Sequence, residues 1–142
     1  MKLNETGPEL SSKDIKRFEK KQGIKLPEPY KKFLTENNGG YPGKSLFKIS
    51  DAQGESVLNI FFGIGDMYDN LADFIRIYKG RMPEEFFPIA DDSNGNSICL
   101  GLEGQYQENI FFWDHEQENE DADMSNMYFL AKDIYEFVES LQ

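Results

Sequence analysis

Between residues 87 and 113 the chain offers three short apolar runs, Phe87-Pro88-Ile89-Ala90, Ser97 to Leu102 and Asn109 to Trp113, separated by polar turns that carry glycine. Runs of this length, bounded by turn residues, read as strands joined in an antiparallel meander. Clustered acids follow the first and the last: Asp91-Asp92, and Asp114-His115-Glu116. A strand end carrying exposed Asp, His and Trp offers a rigid, negatively charged contact surface, whereas an enzyme needs nucleophiles or bases converging on a pocket. The arrangement favours recognition over catalysis.

Helical signals surround the meander. Ser11-Ser12-Lys13-Asp14 has the Ser-x-x-Asp form of a helix start, and Ile15, Phe18 and Gln22 share a face before Gly23, which predicts a helix over 12–22. Pro29 sits where a first helical turn tolerates proline, and Tyr30, Phe33 and Leu34 continue a helix over 28–37. Asn37-Asn38-Gly39-Gly40 ends it, because Asn and Gly accept the left-handed backbone of a helix C-cap. Leu46–Ile49 and Val57–Phe62 read as strands around the turn Asp51-Ala52-Gln53-Gly54, and Gly63-Ile64-Gly65-Asp66 breaks the second. Leu71, Phe74, Ile75 and Tyr78 mark a helix over 69–79 closed by Gly80, and Ile134, Phe137, Val138 and Leu141 mark a last one. Met127-Tyr128-Phe129-Leu130 is apolar but carries no decisive signal. The class is α+β, as a single domain over 1–142 with residues 1–10 a flexible N-terminus.

A chain of 142 residues can bury roughly 68–70% of its unfolded surface. With 12 Phe and 7 Tyr its core should be rich in rings. The single cysteine, Cys99, forms no intramolecular disulfide, and the first residues lack the apolar run of a secretory signal, so a cytoplasmic location is expected. No stretch approaches the roughly 18 apolar residues of a membrane span. Charge is more telling: residues 82–142 hold fifteen Asp/Glu against one base, Lys132, whereas residues 1–30 hold seven Lys/Arg against five acids. Such a field repels phosphate backbones and attracts basic partners, so direct nucleic-acid binding is disfavoured.

Sharper chemical readings fail on the residues. Asp92, Asn94 and Asn96 alternate as in a calcium loop and Glu103 falls at the distance of its last ligand, but Ser97 stands where the sharp turn needs Gly. A polar hairpin turn is the better reading, and no metal or cofactor is expected. One histidine excludes zinc sites built from several His and Cys; His115 is expected to be a strand-end residue bonding nearby backbone, with a contact role open to it. Cys99, between Ile98 and Leu100, reads as core. Asp91 and Asp92 are adjacent on a strand, point to opposite faces and cannot flank one scissile bond. Six acids fall in ten positions over 114–123, either as a solvated loop or as an imitation of a polyanion, which a nuclease would hold with Lys and Arg. Trp113 fits an interface anchor or the core.

Gly23-Ile24-x-Leu26-Pro27-x-x-Tyr30-x-x-Phe33-Leu34 with Asn38-Gly39-Gly40, then Phe62-Gly63-Ile64-Gly65, then Pro88-Ile89-Ala90-Asp91-Asp92 with Gly95-Asn96 and Ile98-Cys99-Leu100, then Phe112-Trp113-Asp114-His115-Glu116, together resemble the SUKH superfamily of fungal cell-wall synthesis regulators and bacterial immunity proteins. The resemblance implies a central, mainly antiparallel sheet of about five to six strands flanked by helices, no catalytic residues, and a role as an immunity protein that silences a cognate toxin domain. The expected partner is a basic toxin C-terminal domain, a nuclease and in particular an RNase, met by a monomer or weak homodimer. The other role the resemblance allows is a regulatory scaffold of the fungal type. Charge and position nominate Asp91, Asp92, Trp113, Asp114, His115, Glu116, Glu118, Glu120 and Asp121 as partner contacts.

Overall fold

A computed structural model describes residues 2–142. Helix α1 (Ser12–Gln22) begins where the Ser-x-x-Asp signal places it, with Ser11 and Asp14 closing a reciprocal capping box, and it stops at Gly23, whose φ of 68° is the left-handed cap. Helix α2 (Glu28–Glu36) carries Pro29 in its first turn. Its end differs from expectation: Asn37 is extended, and the left-handed turns fall on Gly39 and Gly40. Glycine is required there by space as well as torsion, since a Cβ on Gly40 would lie 2.6 Å from the Asn4 carbonyl oxygen.

That close approach is the N-terminal segment itself. Residues 2–10, part of the N-terminus expected to be flexible, make defined contacts there: Asn4 and Tyr41 exchange backbone hydrogen bonds, Leu3 N–H donates to Asn37 Oδ1, and Leu3 and Leu10 are buried. Burying two leucines and pairing backbone at Asn4 offsets the entropy of ordering the segment.

Six antiparallel strands follow in sequence order: β1 (Leu46–Ser50), β2 (Gly54–Phe61), β3 (Phe86–Asp92), β4 (Ser97–Gly101), β5 (Ile110–Trp113) and β6 (Met127–Ala131). The apolar lead-in at 127–130 is thus a strand, paired along β5 with Phe112 opposite Tyr128. Helix α3 (Leu71–Tyr78) joins β2 to β3, and α4 (Ile134–Ser140) ends the chain. The sheet curls until β1 and β6 touch, and reciprocal backbone bonds between Leu46 and Gln142 hold the C-terminus against β1.

Strand alternation divides the interior into two cores. Ile98 and Leu100 of β4 and Ile110 and Phe112 of β5 face α1, α2 and α4 in the larger one. Cys99, Phe111 and Trp113 face the other way, where they meet Met82, Phe86 and Met127. The central strands are therefore covered on both faces, which explains their unbroken apolar runs. The loop after β4 closes tightly over the sheet: a Cβ on Gly101 would stand 1.9 Å from the Tyr106 carbonyl oxygen.

Candidate partner-binding surface

The acid-bearing strand ends meet at one end of the sheet, where the β3–β4 turn lies against the loop from β5 to β6. Asp92 anchors the turn from inside. It is 3% exposed and accepts from Ser56 Oγ (2.6 Å), Asn94 N (2.9 Å), Asn96 N (2.8 Å) and Asn96 Nδ2 (2.9 Å). A short acceptor side chain folding back on the next backbone N–H groups lets the chain reverse without orphaned donors. Both carboxylate oxygens are taken by donors, so Asp92 has a structural task and offers nothing to a partner.

Asn96 extends the network: its Oδ1 accepts the His115 backbone N–H at 3.0 Å. The imidazole lies against Gly95, whose φ of 85° keeps that position free of a side chain. His115 is thus a half-buried brace between two loops.

The 114–123 tract holds one short 3₁₀ turn, His115–Gln117, leads into a second, Met124–Asn126, and carries several internal bonds. Asp114 accepts from Glu116 N, and Asp123 accepts from the Ser125 hydroxyl and N–H, which holds its carboxyl below the usual range. The firmest tie is bidentate: Arg81 Nε and Nη2 each donate to Glu118 at 2.9 Å. This hydrogen bonding holds the Glu118 carboxyl low against a smaller cost of desolvation. The same guanidinium covers the Tyr78 and Trp113 rings, at 4.8 and 5.6 Å from their centroids. Arg81 therefore couples the acidic loop to the second core through a cation–π contact, a role its isolated position in the sequence did not disclose.

Trp113 has no exposed surface, so it is core rather than interface anchor. The physical reason is its alternation with Phe112 on β5, which turns the indole beneath Arg81 and Tyr78 instead of into solvent. Removing Asp92, Trp113, the braced His115 and the committed carboxylates of Asp114 and Glu118 leaves Glu116, Glu120 and Asp121 exposed, with no side-chain partner among the described residues.

Asp91 belongs to a separate patch. Its carboxylate accepts from Asn59 Nδ2 at 3.0 Å, yet burial pushes its pKa up, the charges of Asp69 and Asp92 adding to the rise. Asp69 is also raised by burial. Beside it stands Tyr68, 93% exposed on the loop that leads into α3. Sequence reasoning missed Tyr68 and Asp69; the signal was an aromatic between the Gly65-Asp66 break and the Asn70 cap, where no periodic face claims it.

Cys99 is enclosed, burial pushes its thiol pKa up, and its Sγ contacts Met82 Sδ at 3.6 Å, as a core thiol should. No helix among the described residues is long and apolar enough to cross a membrane.

Comparison with known proteins places these features in a wider group. The profile described as SMI1 / KNR4 family (SUKH-1) matches residues 9–140. A protein of Bacillus subtilis (strain 168), described as SPbeta prophage-derived uncharacterized protein YokK, is similar at 29% identity over 148 residues, an alignment that covers 92% of this chain and 74% of that protein.

Proposed function

The chain belongs to the SMI1 / KNR4 (SUKH-1) family, a group broadly associated with toxin immunity, and from that premise we propose that it is an immunity protein that neutralises a cognate toxin domain by stoichiometric binding. The target is a basic nuclease domain, in particular an RNase. One observation carries the reading to this surface: on a loop clamped by Arg81 and Glu118, the uncommitted carboxylates of Glu116, Glu120 and Asp121 face solvent. A nuclease holds phosphates with Lys and Arg, so carboxylates presented on a preordered loop can fill the same cleft with little ordering cost. The resemblance to a prophage-derived bacterial protein supports immunity over the fungal scaffold role.

The test is complex formation with the C-terminal domain of the toxin encoded beside this gene, followed by an assay of its nuclease activity. A 1:1 complex with silenced activity is expected. Combined reversal of Glu116, Glu120 and Asp121 to Lys should raise Kd by more than about tenfold and flatten its salt dependence. Unchanged protection and affinity in that variant would remove the mimicry reading.

A further inference from the structure

Among the described residues the most exposed ring, Tyr68 at 93%, sits on a loop that is tied down on both sides. Gly63 N–H donates to the Asp69 carbonyl oxygen at 3.1 Å, and Leu71 N–H donates to that of Gly63 at 2.8 Å. Asn70 Nδ2 donates to the Met67 carbonyl oxygen, while the Asn38 side chain donates to the Ile64 carbonyl oxygen and accepts the Ile64 N–H. An aromatic side chain on so ordered a loop has its contact geometry set before a partner arrives, which lowers the cost of binding.

Two carboxylates without a counter-ion stand beside it. Asp69 follows Tyr68 in the chain, and Asp91 on β3 lies near enough to feel the Asp69 charge. Both are half-buried, and neither pairs with a cation among the described residues. Burial raises both pKa values, as desolvation without a compensating cation does. No group of three metal-binding side chains gathers among the described residues, so the pair does not form a metal site. A third polar group faces the same way. Ala90 and Ile98 belong to the larger core, which turns their neighbours Asp91 and Ser97 to the opposite face, directly across the β3–β4 pairing from one another. Ser97 is wholly enclosed, and its Oγ has no hydrogen-bond partner among the described residues. An unpartnered hydroxyl opposite a half-buried carboxylate suits the arrival of a group rich in donors.

The geometry points to an arginine of a partner protein as the occupant of this patch, its guanidinium stacked on Tyr68 and bonded to Asp69 and Asp91. The molecule already holds one arginine in this manner: Arg81 bonds Glu118 through two nitrogens while covering the rings of Tyr78 and Trp113. A planar guanidinium offers its edge to carboxylates and its face to a ring at once, whereas a lysine ammonium is a compact point charge. Its five N–H donors suffice for both carboxylates and the Ser97 hydroxyl. Within the proposed function the arginine belongs to the toxin domain, and the inference rests on that reading for the identity of its bearer. The patch itself uses none of Glu116, Glu120 and Asp121.

The test is titration of the full, isotope-labelled chain with N-acetyl-arginine amide at low salt, read by NMR shifts of the backbone amides and of the Tyr68 ring. N-acetyl-citrulline amide, neutral and of the same shape, and N-acetyl-lysine amide are the controls. The arginine amide should move Tyr68, Asp69, Asp91 and Ser97 first. It should bind at least about tenfold more tightly than the citrulline amide and about threefold more tightly than the lysine amide. Tyr68→Ala should weaken it about fivefold, whereas Tyr68→Phe keeps the ring and the affinity. Asp69→Asn/Asp91→Asn should weaken it at least about tenfold, with circular dichroism checking that each variant keeps its fold. Equal binding of the three amides, shifts spread evenly over the acidic surface or centred on the loop from Glu116 to Asp121, or affinity unchanged in the variants overturns the inference. So does magnesium ion moving the same signals with the same dependence on Asp69 and Asp91. The amide needs no toxin, so its failure to bind leaves the immunity reading standing. In the toxin complex Tyr68→Ala should raise Kd by about tenfold, and an unchanged Kd there would remove the toxin as bearer of the arginine.

Discussion

Replacing Asp92 with Ala removes one buried carboxylate and strands its donors. Of the four hydrogen bonds it accepts, those from Ser56 Oγ and from Asn96 N and Nδ2 lie in buried surroundings, while Asn94 N is nearer solvent. A hydrogen bond to a charged group contributes about 1.5–3 kcal/mol, but four bonds to one carboxylate do not add, and relief from holding a charge inside offsets part of the loss. The net cost is about 3–4 kcal/mol, which for a domain of this size lowers Tm by about 10 °C. Urea unfolding followed by the fluorescence of Trp113, the single and fully buried tryptophan, reads the change directly. Asp92→Asn should lose about 1–2 kcal/mol, since it keeps an acceptor for the Asn94 and Asn96 N–H groups but turns an amide donor toward Asn96 Nδ2. A loss below about 1 kcal/mol in Asp92→Ala would refute the turn-anchoring argument. A fully stable variant that no longer bound toxin would return Asp92 to the interface.

Two further outcomes follow from the second core and the Asp91 patch. The Arg81–Glu118 pair is partly exposed, at 42% and 27%, so a double-mutant cycle with Arg81→Ala and Glu118→Gln should give a coupling of about 1 kcal/mol in urea denaturation. Because Arg81 depresses the folded-state pKa of Glu118, that coupling is complete above its ordinary value of 4.5 and disappears as pH falls through the lower folded value; a coupling unchanged at pH 3 would contradict it. Asp91 has the opposite sign: its folded-state pKa is raised, so ionisation opposes folding once pH exceeds the ordinary carboxylate range. Asp91→Asn should raise the urea midpoint at pH 7 and lose that advantage at pH 3, and equal midpoints at both pH values would show that burial of the charge is not felt.

Local patterning made most of the architecture legible. Ser11, Asp14 and Gly23 bound α1 because capping is settled within a few residues, and the turn residues around 51–54 and 93–96 separate strands that pair with their sequence neighbours. Where the sequence signal was silent, at Met127–Ala131, the decision came from β5: an exposed edge of that strand needs a partner for its backbone, and residues 127–131 supply it. The contacts of the N-terminal segment were hidden for a similar reason. Its two leucines are widely spaced and show no period, and only the shape of the Asn37–Gly40 turn gives them a place to dock.

The candidate surface divides along the same line. Residue type and order alone determined that residues 82–142 carry a dense negative charge, that the chain holds one cysteine and one histidine, and that its apolar runs are rich in rings. Which carboxylates are free was decided by tertiary contacts. Asp92 is spent on Ser56, 36 positions earlier in the chain, and Glu118 on Arg81, 37 positions earlier. Charge is written residue by residue, but its availability to a partner depends on distant neighbours that folding brings within hydrogen-bond reach.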